Sequence, residues 1–355
     1  MSKFFFSLCI FLCLSHSACA WNAEGHMAVA QIAYNHLNPV AKAKCDALIA
    51  ITLTNSSAGT SNFVTASVWA DDFKTPLGTG IWHYLDLPFS LDGTSTSGVS
   101  VASFDVVRAI NLCVTNLQNP LLVQSNQAVY LRYLLHFVGD IQQPLHCSTA
   151  VSSSSPGGDA GGNGFSLSGG VWSNLHSLWD SGGGSLFDSL PRPLSVAGQN
   201  TLNAKVAVIE ADSPYNYTTN LGTIPNPMTW AQEGLGLAQT ICYVGITRNG
   251  TPGGAYLTTA TNTTEQLIAK GGHRLADLLN TLYPSTPIVL NLAKVTGGKL
   301  AFSWSTTTGG VYQVQWKQNL TDPAWNILTN LTATGSSLSF TDQVAQAQRF
   351  YRVAQ

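Results

Sequence analysis

Charged residues are scarce in this 355-residue chain, at 10% of positions against 45% hydrophobic residues. No basic run occurs, and positions 21–355 carry 15 basic and 18 acidic residues, so a basic face for duplex nucleic acid is not expected. Beyond residue 20 no apolar run reaches about 18 residues, which predicts that no segment spans a membrane. The glycine-rich stretch 157–170 has no Gly-Lys-Ser/Thr after it, so it is interpreted as a loop and not as a phosphate-binding motif.

The first twenty residues have the layout of an export signal. Lys3 precedes the apolar run Phe4 to Leu14, and Ala18-Cys19-Ala20 is a small-x-small cleavage site. The prediction is a signal peptide over 1–20 and a secreted or periplasmic protein that begins at Trp21. The free α-amine of Trp21 would have a pKa of roughly 8 and, five residues before His26, could help to chelate a metal.

Cysteines are few and form no metal-binding pair. Four remain after residue 20, namely Cys45, Cys113, Cys147 and Cys242. An even count in an exported chain predicts two disulfides, but three pairings are possible and the sequence does not choose between them.

Histidines, in contrast, carry a clear pattern. Seven follow residue 20, and five have carboxylates nearby at ligand-like spacing: His26, His83, His136, His146 and His176. His136 and Asp140 are four apart on one helical face, as are His176 and Asp180. Imidazole with carboxylate, and without paired cysteines, suits zinc held with open positions for catalysis. His36 and His273 are interpreted as ordinary helix residues.

These motifs together resemble a known family. The ordered set is Trp21, His26, Trp69-Ala70-Asp71, His83-Tyr84-x-Asp86, His136-x3-Asp140, Gln143-Pro144-Leu145-His146, Gly161-Gly162-Asn163 and His176-x3-Asp180. It is similar to the zinc-dependent single-strand nucleases of fungi, plants and bacteria, which also act as 3′-nucleotidases. The resemblance spans roughly residues 21 to 283 and implies a mainly helical zinc-enzyme domain of the phospholipase C/nuclease type.

The resemblance implies three Zn²⁺ ions in one cleft. Asp71, His83, His136 and Asp140 would hold the first, and His146, His176 and Asp180 the second. The amine and carbonyl of Trp21 would hold the third with His26 and Asp140, so that Asp140 bridges two ions. Asp72 is the alternative to Asp71, and the preceding Trp-Ala favours Asp71.

The implied activity is hydrolysis of single-stranded DNA and RNA, and of 3′-mononucleotides, to products with 5′-phosphates. Two close zinc ions would lower the pKa of a bridging water from 15.7 towards about 7, and Asp71 would orient the resulting hydroxide. Asp86 and Asn163 match base-contacting positions, Lys74 matches a phosphate-side lysine, and Tyr84 is a candidate stacking platform. Alternatively, Tyr84 belongs to the core, Asn163 adopts a left-handed turn conformation and Lys74 is solvated. A monomer is expected.

Two boundaries divide the chain. Residues 21–283 are expected to be helical, with one helix over His26 to Leu37 and the last from about Thr264 to Leu282. Pro284-Ser285-Thr286-Pro287 is interpreted as a linker over 284–287. From residue 288 to 355, alternation in Leu300–Trp304, Val311–Trp316 and Arg349–Val353 predicts a small all-β sandwich. Its ending resembles fibronectin-type-III-like modules, and a passive role is expected.

Two other functions remain possible from the sequence. A zinc phospholipase C resembles the same fold and also uses an N-terminal Trp, but has Glu where this chain has Asp180. A catalytically silent zinc-binding or adhesive protein would use the β tail as its working part, and the nine intact ligand positions argue against it.

Overall fold

A helical part and a β part follow each other along the chain. The computed structural model describes residues 21–55, 58–186, 190–212, 226–285, 288–291, 294–322, 324–343 and 348–354. The α-helices in this part of the chain are α1 (Ala23–His36), α2 (Pro39–Ile49), α3 (Phe63–Ala66), α4 (Trp69–Leu77), α5 (Val106–Gln118), α6 (Gln124–Asp140), α7 (Leu175–Asp180), α8 (Val196–Ala211), α9 (Pro227–Leu237) and α10 (Gly254–Leu282).

Helix α1 lies at the centre of the helical part and is buried on nearly all sides over residues 24–33. It packs closely against α10 because Gly271 and Gly272 offer no side chain at the contact. A Cβ on Gly272 would lie 2.4 Å from Cγ2 of Ile32, so only glycine permits this approach. Asn22 caps α1 by accepting a hydrogen bond from the Gly25 amide at 3.1 Å. The metal-ligand candidate His26 is thereby fixed in the first turns of a rigid helix.

Two short strands connect distant parts of the helical domain. Strands β1 (Leu87–Ser90) and β2 (Ser148–Val151) pair in parallel, with Leu87 opposite Ser148. Just before them, the Leu85 amide donates a hydrogen bond to the His146 carbonyl at 2.7 Å. The pairing therefore brings the segment that contains His83 beside the segment that contains His146.

The β part consists of two three-stranded antiparallel sheets. Its strands are β3 (Lys294–Thr296), β4 (Lys299–Ser305), β5 (Val311–Lys317), β6 (Asn326–Thr332), β7 (Ser337–Gln343) and β8 (Phe350–Ala354). The sheets have the orders β3-β4-β7 and β6-β5-β8. Trp304 of one sheet and Tyr312 of the other belong to one buried cluster, so the sheets share a core.

The predicted fold class is therefore confirmed: a mainly helical domain is followed by a small all-β domain. The fibronectin-type-III-like character of the β domain and the exact domain boundaries stay predictions. The signal peptide 1–20 and part of the linker, 286–287, lie outside the described residues. None of the described helices is both long and apolar enough to cross a membrane.

The last helix begins ten residues earlier than the sequence pattern predicts. Its first ten residues contain four threonines together with Gly254 and Asn262, and all of these are weak helix formers. Thr258 and Thr259 donate hydrogen bonds to the carbonyls of Gly254 and Ala255, so their hydroxyl groups are satisfied within the helix. Tyr256 and Ala260 of these turns are buried in the smaller hydrophobic cluster, but the regular apolar pattern starts only in the later turns of α10.

The prediction of two disulfides is wrong, because Cys45, Cys113, Cys147 and Cys242 are all buried free thiols. Cys45 is in α2, Cys113 in α5, and Cys147 follows a 3-10 turn, where its thiol donates to the Ile141 carbonyl at 3.3 Å. Burial raises the pKa of the Cys45 thiol to about 12. These residues act as small apolar side chains in the core, which is a common environment for free cysteine.

Candidate metal centre

The structure brings the predicted ligands together at the ends of several short elements. His26 and Asp71 lie in the first turns of α1 and α4, and His83 and His146 end 3-10 turns. His136 and Asp140 occupy the last turns of α6, which ends at Asp140 as the downstream Pro144 predicts. His176 and Asp180 lie in α7. Because these ligands lie near the ends of helices and turns, side chains from distant segments of the chain can converge.

Asp140 lies at the centre of the first group of ligands. Its Oδ1 lies 3.3 Å from His136 Nε2 and 3.4 Å from His26 Nε2, whereas Oδ2 lies 3.0 Å from His83 Nδ1. The two carboxylate oxygens thus face different imidazoles. The Asp140 and His26 side chains are fully buried.

This group has the features of a cation site. Among the described residues, neither Asp140 oxygen has a hydrogen-bond partner, nor does either ring nitrogen of His26. Burial raises the pKa of Asp140 well above its ordinary value, and the His136 imidazole offsets this only in part. A buried carboxylate without hydrogen bonds is costly unless a positive charge compensates it. The residues present therefore fit a bound metal ion.

The imidazoles are held as neutral ligands. Burial lowers the pKa of His83 to about 4 and also lowers the pKa values of His26 and His136. His83 Nδ1 and His136 Nε2 face each other at 3.0 Å, an arrangement that needs a proton or a cation between them. Neutral imidazole is the form that binds zinc.

Backbone carbonyls orient three of these rings. Nδ1 of His136 lies 2.6 Å from the Ser67 carbonyl, and Nδ1 of His146 lies 2.8 Å from the His83 carbonyl. Nδ1 of His176 lies 2.6 Å from the Gly161 carbonyl. Because a carbonyl can only accept, Nδ1 must carry the proton and Nε2 is left with its lone pair. Such outer contacts are typical of metal-binding histidines.

Asp71 and Asp72 have different environments. Asp71 Oδ1 lies 3.6 Å from His136 Nε2 and 3.7 Å from His83 Nδ1, and accepts a hydrogen bond from Lys74 at 3.1 Å. Burial alone would raise the pKa of Asp71, but His136, Lys74 and His83 hold it below its ordinary value. Asp72 instead forms a two-pronged ion pair with Arg192 at 2.7 and 3.0 Å. The geometry therefore favours Asp71 as the ligand.

A second group consists of His146, His176 and Asp180, whose candidate ligand atoms lie within 4.8 Å of one another. His176 Nε2 lies 3.5 Å from Asp180 Oδ2. Asp180 Oδ1 accepts a hydrogen bond from Gln143 Nε2 at 2.7 Å, so Gln143 turns the other oxygen towards His176. The side chains of Asp71 and Asp180 are each 13% exposed while the histidines are at most 5% exposed, which places the mouth of the centre beside these two carboxylates.

Trp21 is completely buried in the main core. The next residue, Asn22, donates a backbone hydrogen bond to the Asp180 carbonyl at 3.1 Å and a side-chain hydrogen bond to the Leu186 carbonyl at 2.5 Å. A Cβ on Gly25 would lie 2.6 Å from the Trp21 Cβ, so the indole packs directly on the first turn of α1. The segment Trp21–Asn22 is therefore fixed against the first turn of α1 and the end of α7, which contain His26 and Asp180.

The four predicted substrate-binding residues differ in their surroundings. Lys74 is buried and is paired with Asp71, so the solvated alternative is wrong. Tyr84, Asp86 and Asn163 are partly exposed. Burial, and then the charge of Asp159, raise the pKa of Asp86 to about 6. Ala160 rather than Asn163 adopts a positive φ, of 53°, so the left-handed alternative for Asn163 is also wrong.

Asp159 has a positioning role that the sequence motifs do not reveal. It is buried, and its carboxylate accepts hydrogen bonds from the amides of Ala150 and Gly162 and from the Tyr243 hydroxyl, at 2.9, 3.0 and 2.7 Å. These contacts fix the loop that contains Asn163. A carboxylate within the Gly-rich stretch 157–170 is the only signal in the sequence, because its partner Tyr243 lies 84 positions away.

Gly161 is the second positioning residue that the sequence motifs leave unexplained. Its φ is +62°, and a Cβ there would lie 2.2 Å from the Leu145 carbonyl oxygen. Only glycine can therefore present its carbonyl to His176 at this point.

Comparison with known proteins identifies the family. The model of the S1/P1 nuclease family matches residues 21–284, and the chain therefore belongs to that family. This confirms the resemblance based on the ligand motifs and indicates a nuclease, a hydrolase of phosphodiester bonds. Members of the family are zinc enzymes, in agreement with the His and Asp groups found here.

Individual relatives come from fungi and plants. Nuclease P1 of Penicillium citrinum is 27% identical over 294 residues, which cover 75% of this chain and 98% of the relative. Endonuclease 3 of Arabidopsis thaliana is 27% identical, with 78% of this chain and 94% of the relative covered. Nuclease S1 of Aspergillus oryzae (strain ATCC 42149 / RIB 40) is 26% identical, covering 76% and 94%. The part of this chain that aligns with these relatives, 75–78% of its length, is about as long as its helical domain.

Among solved structures, the alpha toxin from Clostridium absonum aligns with 94% of this chain and 84% of its own. The sequence identity is 10% and the TM-score 0.38.

Proposed function

We propose that this protein is a zinc-dependent endonuclease that hydrolyses single-stranded DNA and RNA to 5′-phosphate products and also acts as a 3′-nucleotidase. The observation that carries the proposal is the buried Asp140 carboxylate, whose two oxygens face imidazoles of His26, His136 and His83 without a hydrogen-bond partner in the described structure. Family membership supports the nuclease activity.

Three zinc ions are proposed, with the ligand sets that the motif resemblance implies. Asp71, His83, His136 and Asp140 would hold one ion, and His146, His176 and Asp180 another. Trp21 and His26 would hold the third with Asp140. Asp140 Oδ1 lies near His26, a proposed ligand of the third ion, and Oδ2 lies near His83, a proposed ligand of the first, which supports the proposed bridging role. When bound, the ions supply positive charge for a phosphate and a water that loses a proton near neutral pH.

The chain's own residues would position the substrate at the mouth beside Asp71 and Asp180. Lys74, held by Asp71 at 3.1 Å, is proposed to face a phosphate oxygen there, and Asp71 to orient the attacking water. Tyr84, Asp86 and Asn163 are proposed to bind a base that is free to leave a single strand. Stacking of a base on an aromatic ring is worth about 1–3 kcal/mol and is not available to a paired base without unstacking.

A product assay tests the proposal. The full chain beginning at Trp21 is incubated with single-stranded DNA or RNA, with and without a zinc chelator, and the phosphate end of each product is identified. Chelator-sensitive release of 5′-mononucleotides is expected. Products with 3′-phosphates, or cleavage that survives zinc removal, would contradict the proposed reaction.

Phospholipid hydrolysis by the same preparation tests the phospholipase C alternative. No cleavage of nucleic acid by zinc-loaded protein, together with release of a phosphorylated headgroup, would replace the proposed function. If zinc-loaded protein hydrolyses neither nucleic acid nor phospholipid, the catalytically silent zinc-binding protein is the alternative that remains.

Export with cleavage before Trp21 is part of the proposal, because only a free Trp21 amine can bind the third ion. A variant with one extra residue before Trp21 should bind one zinc ion less and lose activity. An unchanged zinc content and rate in that variant would remove Trp21 from the ligand set.

A further inference from the structure

A second group of histidine and carboxylate side chains lies at the opposite end of α1 from the candidate metal centre. His36 is the last residue of α1, Glu210 lies in the last turn of α8, and His273 lies in α10. One candidate ligand atom from each lies within 4.8 Å of the other two. Since His26 and His36 are ten residues apart, the two groups are separated by roughly 15 Å along the helix axis.

The geometry of this second group is well defined. His36 Nε2 lies 2.5 Å from Glu210 Oε1, and the rings of His36 and His273 are 4.4 Å apart and tilted by 43°. The His36 side chain is 44% exposed and that of Glu210 22%, so the group is open to ions from solution. With it, all seven histidines of residues 21–355 lie in groups of ligand type.

Neighbouring side chains hold these groups in position. The second oxygen of Glu210 accepts a hydrogen bond from Asn35 Nδ2 at 3.3 Å. Asn280 Nδ2 donates to the His36 carbonyl at 3.0 Å and so fixes the end of α1 against α10. Support of this kind around a carboxylate and an imidazole is typical of metal sites.

We propose that His36, Glu210 and His273 form a further zinc site, which links α1, α8 and α10. Two imidazoles and one carboxylate make a ligand set that suits Zn²⁺. Bonds of about 2.0 Å in tetrahedral geometry require ligand separations near 3.3 Å, so small side-chain rotations bring all three into place. The ion takes the place of the proton between His36 and Glu210, and water fills the fourth position.

Asp277 supplies additional negative charge beside the site. It lies one turn beyond His273 on α10, and its charge acts on the rings of both His36 and His273. A carboxylate at this distance attracts a cation even where it is not a ligand. The role of the site is structural, because it joins three helices of the helical domain away from the candidate active centre.

Zinc content measured on the full chain tests this site. Wild type, His36→Gln, His273→Gln and Gln266→Ala are equilibrated at the same micromolar free zinc and assayed by mass spectrometry. Gln266 is exposed on α10 and serves as the matched control. Wild type and Gln266→Ala should contain one zinc ion more than either histidine variant, and zinc addition should raise their Tm more.

Cleavage of single-stranded DNA is measured in parallel, because the proposed nuclease centre does not use these residues. Its rate should be equal in all four proteins, so that loss of this site is distinguished from failure of the nuclease proposal. Equal zinc contents, or a difference that appears only at millimolar zinc, would reduce the His36–Glu210 contact to an ion pair and overturn the proposal. If His273→Gln fails to fold, His36→Gln at its exposed position decides the matter.

Discussion

At the scale of single residues, the carboxylate of Asp140 combines complete burial with imidazoles on both of its oxygens. Asp72 provides a contrast within the same molecule, since its carboxylate is paired with Arg192 away from the centre. The comparison of these two aspartates separates loss of a ligand from loss of a surface charge.

Asp140→Asn should lower single-strand cleavage by more than about 100-fold, because an amide cannot compensate two cations as a carboxylate does. It should also release more than one zinc ion, measured by mass spectrometry of the desalted protein. Asp72→Asn is the control and should retain zinc and rate. A variant at Asp140 that keeps its zinc and its rate would refute the bridging role.

Asp86 should make base binding depend on pH, because its pKa is raised to about 6 by burial and by Asp159. Above pH 6 it is ionised and accepts hydrogen bonds, and guanine offers two donors on its Watson–Crick edge. The measured quantity is the ratio of kcat/KM for a guanine 3′-nucleotide in wild type to that in Asp86→Asn. This ratio should rise about tenfold from pH 5 to pH 7, because ionised Asp86 forms one charge-assisted hydrogen bond to the base. A flat ratio would exclude Asp86 from base binding.

The raised pKa of Asp86 also affects the stability of the fold, and here ionisation is unfavourable. The folded pKa of Asp86 exceeds its ordinary value of 3.8, so the folded protein binds this proton more tightly than the unfolded chain. Ionisation of Asp86 therefore destabilises the fold progressively as the pH rises from about 4 to 6. The Tm of Asp86→Asn relative to wild type should increase over this range, as measured by thermal unfolding.

The residues that form the candidate metal centre are largely predictable from the sequence, but the hydrogen bonds that hold them in place are not. The His-x3-Asp spacings place both side chains of a pair on one helical face, which depends only on local geometry. Gln143 and Asp159 act through partners tens of residues away, Asp180 and Tyr243. The unpaired cysteines were missed for a similar reason, since the expectation of pairing came from an even count and carried no distances.

At the scale of elements, the contact between α1 and α6 depends on Gly139. A Cβ at this position would lie 2.8 Å from Nδ1 and 3.2 Å from Cε1 of His26. The glycine thus lets the backbone of α6 approach the ring that faces Asp140.

Gly139→Ala should displace the His26 ring and lower zinc affinity by about 10–100-fold, the range expected when the support of a ligand is lost. Gly236→Ala in α9 is the matched control, since a Cβ there meets nothing within 4 Å. Zinc titration with a competing chelator measures both variants. Equal affinity in Gly139→Ala and wild type would mean that α6 shifts to accommodate the methyl group.

Helices were easier to predict than strands in the helical domain. The predicted helix over His26 to Leu37 corresponds to α1, which covers Ala23–His36, because helix boundaries depend mainly on local sequence. The pair β1 and β2 consists of only four residues per strand, and its register depends on a partner about sixty positions away. In the β domain, the largely alternating apolar and polar residues of β4, β5 and β8 predict those strands.

At the scale of the whole molecule, the helical and β domains have separate hydrophobic cores. The cluster around Trp304 and Tyr312 contains only residues from 288 onward. The family match ends at residue 284, and none of the described residues beyond it belongs to a candidate metal-ligand group.

A chain that ends at residue 285 should therefore keep its zinc content and its rate on single-stranded substrates within about twofold, as expected for domains with independent cores. Steady-state kinetics and thermal unfolding of the shortened protein measure the outcome. A large rise in KM would instead indicate that the β domain takes part in substrate binding.

The parallel pair of β1 and β2 also has a consequence for how the molecule folds. It closes a loop of about sixty residues that contains both α5 and α6, and the entropy of that closure must be offset before His83 and His146 meet. The local contacts between α5 and α6 do not require this closure, so their amides should gain protection from hydrogen exchange before those of β1 and β2. Ligands scattered from residue 26 to residue 180 then converge only in the nearly complete fold, and metal binding would stabilise the end of the folding process rather than its beginning.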